Sequence, residues 1–186
     1  MKQIPLETPI LDVYISLAFT GRSDEERKQI RDFAKDNIIS VVKELELTYF
    51  FPYDGNSEEK KKGIKDPHVI QERLKRVALT AKLMVIVTDH KAHGVGAEAE
   101  MAEMAMIPIV VVHTNGEKIS EMIIGIDTVK EIIKSDNAVD IRQSLKKAIN
   151  RHILRESKAK REARAFEASQ VLFNYITREI KGCVEC

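Results

Sequence analysis

Only two of the 186 residues are cysteine, Cys183 and Cys186, and both sit at the extreme end of the chain as Cys-Val-Glu-Cys. A tetrahedral zinc site needs four ligands, and no second pair exists to complete one, so the two thiols are read as a frayed, reduced tail. Charge of one sign is also missing: the formal net charge of +1 gives no general attraction to a polyanion or a membrane surface. No apolar segment approaches the roughly 20 residues of a membrane span. The opening Met-Lys-Gln-Ile-Pro-Leu-Glu has no apolar core of a secretory leader, so a cytoplasmic protein is expected. What remains is a chain 44% hydrophobic and 32% charged, about one domain in length and long enough to bury a real core.

Taken in order, residues 12–18 read as a first strand followed by the loop Phe-Thr-Gly-Arg. Ser23 and Glu26 form a capping box that should open a helix. Its apolar positions Ile30, Phe33, Ala34, Ile38, Val41, Val42 and Leu45 recur at helical spacing and predict one buried stripe. Residues 47–51 are a short strand stopped by Pro52. The polar, lysine-rich stretch 54–65 has no apolar period and reads as a loop over the site. Asp66-Pro67 supplies an N-cap and a first-turn proline, with Ile70, Leu74, Val77 and Ala81 on the buried face of a second helix.

The unbroken aliphatic run 83–87 suits a strand covered on both faces. A helix over 97–106, strands at 108–113 and 128–133, a short helix at 120–124 and a long amphipathic helix over 139–154 complete the pattern. Alternation of this kind predicts an α/β domain over residues 1–154 with a flavodoxin-like, doubly wound, five-stranded parallel sheet in the order 2-1-3-4-5. Residues 155–186 are expected to form a C-terminal helix and tail. Between positions 151 and 164 six basic residues face two acidic ones, which reads as a solvated helix rather than a nucleic-acid contact. Phe166, Val171, Leu172, Tyr175 and Ile176 then make an apolar stripe that needs a partner, either the flank of this domain or a second subunit.

In such a sheet, ligands bind beyond the carboxyl ends of the strands where the strand order reverses, here between the first and third strands. The loops meeting there are 18–23 and 88–96, which gathers Tyr14, Phe19, Arg22, Asp89, His90, His93 and Glu98 about one pocket. Gly94 and Gly96 are expected to form a tight turn that lets backbone approach a ligand. Glu98 is expected in the first turn of the next helix, kept ionised by the helix dipole and able to act as a nucleophile. Acidic residues also occupy first turns simply as dipole complements, and Glu100 and Glu103 imply no chemistry.

The order of elements, the segment Asp-Pro-His-Val-Ile-Gln-Glu-Arg-Leu before the third strand, and His-Gly-Val-Gly-Ala-Glu before an alanine-rich helix resemble the nucleoside 2-deoxyribosyltransferase family. The branch of 2'-deoxynucleoside 5'-phosphate N-hydrolases is the nearest, and the resemblance spans roughly residues 13–113. It implies attack of the Glu98 carboxylate on C1' of a nucleoside or nucleotide, departure of the base, and a covalent glycosyl-enzyme intermediate. Asp89 and His93 are the candidates to assist as proton donors, with Tyr14, Phe19, Gly21, Arg22, Glu72, His90, Gly94 and Gly96 about the substrate. The chain departs from the family at Ala92, where the hydrolases carry serine and the transferases aspartate, and at Leu74, which aligns with an acidic residue unless Glu72 replaces it. The resemblance calls for neither metal nor cofactor. A nucleoside or nucleotide is the expected partner, membrane and nucleic acid are not, and a homodimer or larger assembly is expected. Two alternatives stand beside this reading: a nucleotide-binding sensor with weakened chemistry, and an NAD-cleaving domain resembling the Toll/interleukin-1-receptor type.

Overall fold

Continuous β-branched and aliphatic runs leave three strands with no solvent-facing side, and the rest of the chain is arranged to cover them. The computed structural model describes residues 11–18, 21–52, 80–89, 93–114 and 118–154. Five strands, β1 (Val13–Leu17), β2 (Tyr49–Phe50), β3 (Leu83–Thr88), β4 (Ile109–His113) and β5 (Val129–Lys134), form one sheet in the order β2-β1-β3-β4-β5. Every neighbouring pair is parallel. All residues of β1, β3 and β4 are buried, as two-sided coverage requires, whereas β5 alternates between covered and exposed positions as an edge strand does.

Helices cover both faces. On one side Val13, Ile15, Leu17, Val85, Val87 and Val112 pack with Ile30 and Ala34 of α1 (Asp24–Ala34), Val42 of α2 (Ser40–Glu44), and Ile141, Leu145 and Ile149 of α5 (Ala138–Ile149). On the other, Tyr14, Ala18, Met84, Ile86 and Val111 pack with Val95, Ala99 and Ala102 of α3 (His93–Met104) and Ile123 of α4 (Glu121–Ile124). Each valine, leucine, isoleucine or methionine among them contributes about 1.5–3 kcal/mol when fully buried. Odd positions of β1 therefore serve the first layer and even positions the second, which is what puts Tyr14 and Ser16 on the α3 side.

The capping box expected at the start of α1 is present: the Ser23 hydroxyl accepts from the Glu26 amide at 3.3 Å, and the Glu26 carboxylate accepts from the Ser23 amide at 2.8 Å. The expected stripe is buried or half-buried throughout, with Ile39 added to it, because a π turn over Lys35–Ile39 joins α1 to α2 and rotates the second half of the rod. The long helix expected over 139–154 is likewise α5 continued by a π turn, Asn150–Leu154. The lysine-rich loop, all of the second helix but Thr80 and Ala81, and the C-terminal segment 155–186 lie outside the described residues.

Candidate active site

The reversal of strand order falls between β1 and β3, whose residues pair from Val13 with Leu83 to Leu17 with Val87. Beyond their carboxyl ends α3 crosses back over β1. It starts at His93, not at Ala97, so Gly94 and Gly96 lie inside its first turns instead of forming a hinge before it. Neither has left-handed backbone, and a Cβ built on either meets no atom within 4 Å among the described residues. Neither a turn nor a clash with the described residues therefore calls for glycine at these two positions. Gly21 is the position where the backbone itself asks for glycine, with φ +82° in the loop after β1.

The early start moves Glu98 into the second turn of α3, which corrects the expectation of a first-turn residue held ionised by the helix dipole. That dipole effect fades beyond the first turn. What surrounds the carboxylate instead is β1. The Tyr14 hydroxyl donates to Oε1 at 3.0 Å, and the Ser16 hydroxyl donates to Oε2 in a short bond. Both donors have 0% exposure, while Glu98 keeps an exposed edge. Burial pushes the Glu98 pKa above its ordinary value, and the two hydroxyls, which favour the charged form, only partly offset that. The Tyr14 ring is itself held by stacking on Phe50 across the β1–β2 pair, with centroids 5.7 Å apart and planes at 19°.

Ser16 was not among the residues expected at the site. The signal was available: it lies two positions beyond Tyr14 in an otherwise aliphatic strand, hence on the same face, and a buried hydroxyl must find a partner.

Arg22, expected about the substrate, and Asp89, expected as a candidate proton donor, are ion-paired with each other. Arg22 Nε also donates to the Ala18 carbonyl at 2.7 Å, so the pair ties the loop after β1 to the loop after β3 at the reversal point. On the neighbouring strands, His113 Nδ1 lies 2.9 Å from the Thr88 carbonyl, which can only accept, so the proton is assigned to Nδ1. Phe19, Glu72 and His90 lie outside the described residues, and His93 is placed only as the backbone that opens α3. Among the described residues no group of three or more His, Cys, Asp or Glu is placed to hold a metal ion, and no helix is long and apolar enough to cross a membrane.

No protein-family model matches the chain, and no curated protein matches it. Among solved structures, a CMP N-glycosidase from Clostridium botulinum is similar at a TM-score of 0.53 and 14% identity, covering 73% of this chain and 98% of that one. A 2-deoxyribosyltransferase from Bacillus psychrosaccharolyticus is similar at 0.44 and 19% identity, over 71% of this chain and 95% of that one. The first likeness agrees with the α/β architecture and its strand order; the second is too slight to carry any argument.

Proposed function

We propose that this protein cleaves or transfers the N-glycosidic bond of a nucleoside or nucleotide, with Glu98 as the nucleophile. The observation that carries the reading is a carboxylate, set at the reversal point of a doubly wound sheet, with a hydroxyl on each oxygen and no atom of the described residues within 4 Å of a Cβ built on Gly94 or Gly96 in the same helix. The fold shared with a CMP N-glycosidase supports it.

In the first step a lone pair of a Glu98 oxygen forms a bond to C1'. The bond from C1' to the base nitrogen breaks, its electron pair stays with the base, and the base takes up a proton from solvent, matched by the proton that water gives up in the second step. Charge builds on the sugar as an oxocarbenium-like species, which an anionic oxygen beneath it stabilises. In the second step water attacks C1', the ester bond returns its electron pair to the carboxylate, and one proton of the water is released. A second base in place of water would make the reaction a transfer. The rigid support of Tyr14, itself stacked on Phe50, holds the carboxylate in one orientation for both steps.

The reading is tested by incubating the protein with a panel of nucleosides and nucleoside monophosphates and measuring free base by chromatography. Glu98→Gln keeps the shape and removes the nucleophile, so base release should fall by about three orders of magnitude or more. Normal turnover by that variant would remove Glu98 from the role. Binding of a nucleotide by the unaltered protein with no free base formed would favour the sensor instead.

A further inference from the structure

We infer that Ser16 is a positioning residue that governs the second half of the reaction, making Glu98 the better leaving group so that the glycosyl ester stays short-lived. This rests on the N-glycosidase reading above. Ser16 is fully buried in β1, and its hydroxyl is directed at Glu98 Oε2. The carboxylate therefore has a donor on each oxygen, Ser16 on Oε2 and Tyr14 on Oε1, while the Arg22–Asp89 pair lies at the same end of the sheet.

A hydrogen bond to a carboxylate is strongest when the group is fully charged. Forming the ester at C1' withdraws that charge, so the Ser16 bond weakens as the nucleophile attacks. Breaking the ester restores it. The returning pair is shared by both oxygens, so the effect holds whichever of them is bonded to C1'. Ser16 thus restrains the attack slightly and favours departure of the carboxylate when water arrives. Tyr14 has a second tie, the stack of its ring on Phe50, whereas Ser16 holds the carboxylate through its hydroxyl, which a substitution of one atom removes.

The test uses the full chain and a nucleotide of the panel above that the unaltered protein hydrolyses. Ser16→Ala, and Ser16→Cys as a near-isosteric weak donor, are mixed with substrate, quenched in acid and weighed intact by mass spectrometry. The expected result is a burst of base followed by steady turnover slowed about tenfold, the scale of one hydrogen bond to a charged group. Protein carrying the added sugar should accumulate. The acid limb of kcat/KM should move up by about one pH unit, and Ser16→Thr, which keeps the hydroxyl, should recover the unaltered behaviour.

A folded Ala or Cys variant with no burst, no added mass and an unmoved acid limb would overturn the inference. So would a Thr variant that behaves like Ala. Failure of the unaltered protein to release base from any member of the panel is a different outcome: it removes the glycosidase reading itself, and this inference with it.

Discussion

Glu98 is placed where a carboxylate is harder to ionise than in the unfolded chain, because burial outweighs the two hydroxyls that donate to it. A folded-state pKa raised above the unfolded one contributes stability that is fully present below the ordinary value of 4.5 and is lost as pH rises through the raised value. Near neutral pH the folded protein therefore holds a charge at a cost. Glu98→Gln carries no such charge, so its Tm should exceed that of the unaltered protein at neutral pH, and the gap should close as pH falls below about 4. Thermal melts of both proteins across pH would show it, and a gap that widens toward acid would reverse the sign assigned to burial. That Glu98 and Tyr14 lie together was legible in the sequence because it follows from placing one strand and one helix about the reversal point. Ser16 was passed over although strand alternation puts it on the Tyr14 face, since a lone serine in a run of aliphatic residues looks like an interruption of pattern until its hydroxyl is seen to have a partner.

Elements were legible in kind and less so at their ends. The capping box of α1 was read correctly because its reciprocal hydrogen bonds demand particular side chains. Helix ends were harder, since the residues expected to mark them are absent. α2 and α3 both end with a residue in left-handed backbone that is not glycine: Glu46 at φ 56° and Met106 at φ 55°. At α3 the Met106 amide reaches the Glu103 carbonyl and the Ile107 amide reaches the Ala102 carbonyl, each at 2.8 Å. The same pair of bonds recurs at Glu46 and Leu47. This is the usual glycine-ended geometry made without glycine. Met106 is 53% exposed and has little packing to lose, so Met106→Gly should stabilise the protein by about 0.5–1 kcal/mol. Chemical denaturation should show a higher midpoint with an unchanged slope. The start of α3 was misplaced for the opposite reason, because two glycines spaced by one residue look like a hinge and here lie within helix. The π turn of the first rod leaves a mark elsewhere: Arg142 of α5 donates to the Asp36 carbonyl at 2.7 Å and to Ser40 Oγ at 2.6 Å, and pairs with Glu44. No periodicity of apolar residues forecasts that kind of insertion.

At the scale of the whole molecule the two ends of the sheet differ in character. Where β1, β2 and β3 begin, Asp12 accepts from Lys82 at 2.6 Å and from the Thr48 amide and hydroxyl at 2.8 and 2.7 Å, while its own amide donates to Thr48 at 3.0 Å. Burial alone would raise the Asp12 pKa; Lys82 and Thr48 outweigh it, and the carboxyl ends below its ordinary value. That end is tied shut by polar bonds, while the opposite end holds Glu98 and the glycines of α3. The strand order was legible throughout, since three buried runs and two weaker ones leave little choice of sheet centre. What the opposite end receives was not, because a ligand is specified by shape and polar contacts that no periodicity encodes.

The absence of any close neighbour to a Cβ at Gly96 among the described residues makes that position a gauge of occupancy. A methyl group added there meets no neighbour among the described residues, and alanine is favoured over glycine inside a helix by about 1 kcal/mol, so Gly96→Ala should melt about 2–4 °C higher. If a sugar or base rests against that stretch of α3, the same methyl would intrude on it, and the Michaelis constant should rise as the melting point does. A sturdier vessel that grips its guest less well would mark where the guest sits; one that is sturdier and grips equally well would send the search to another wall.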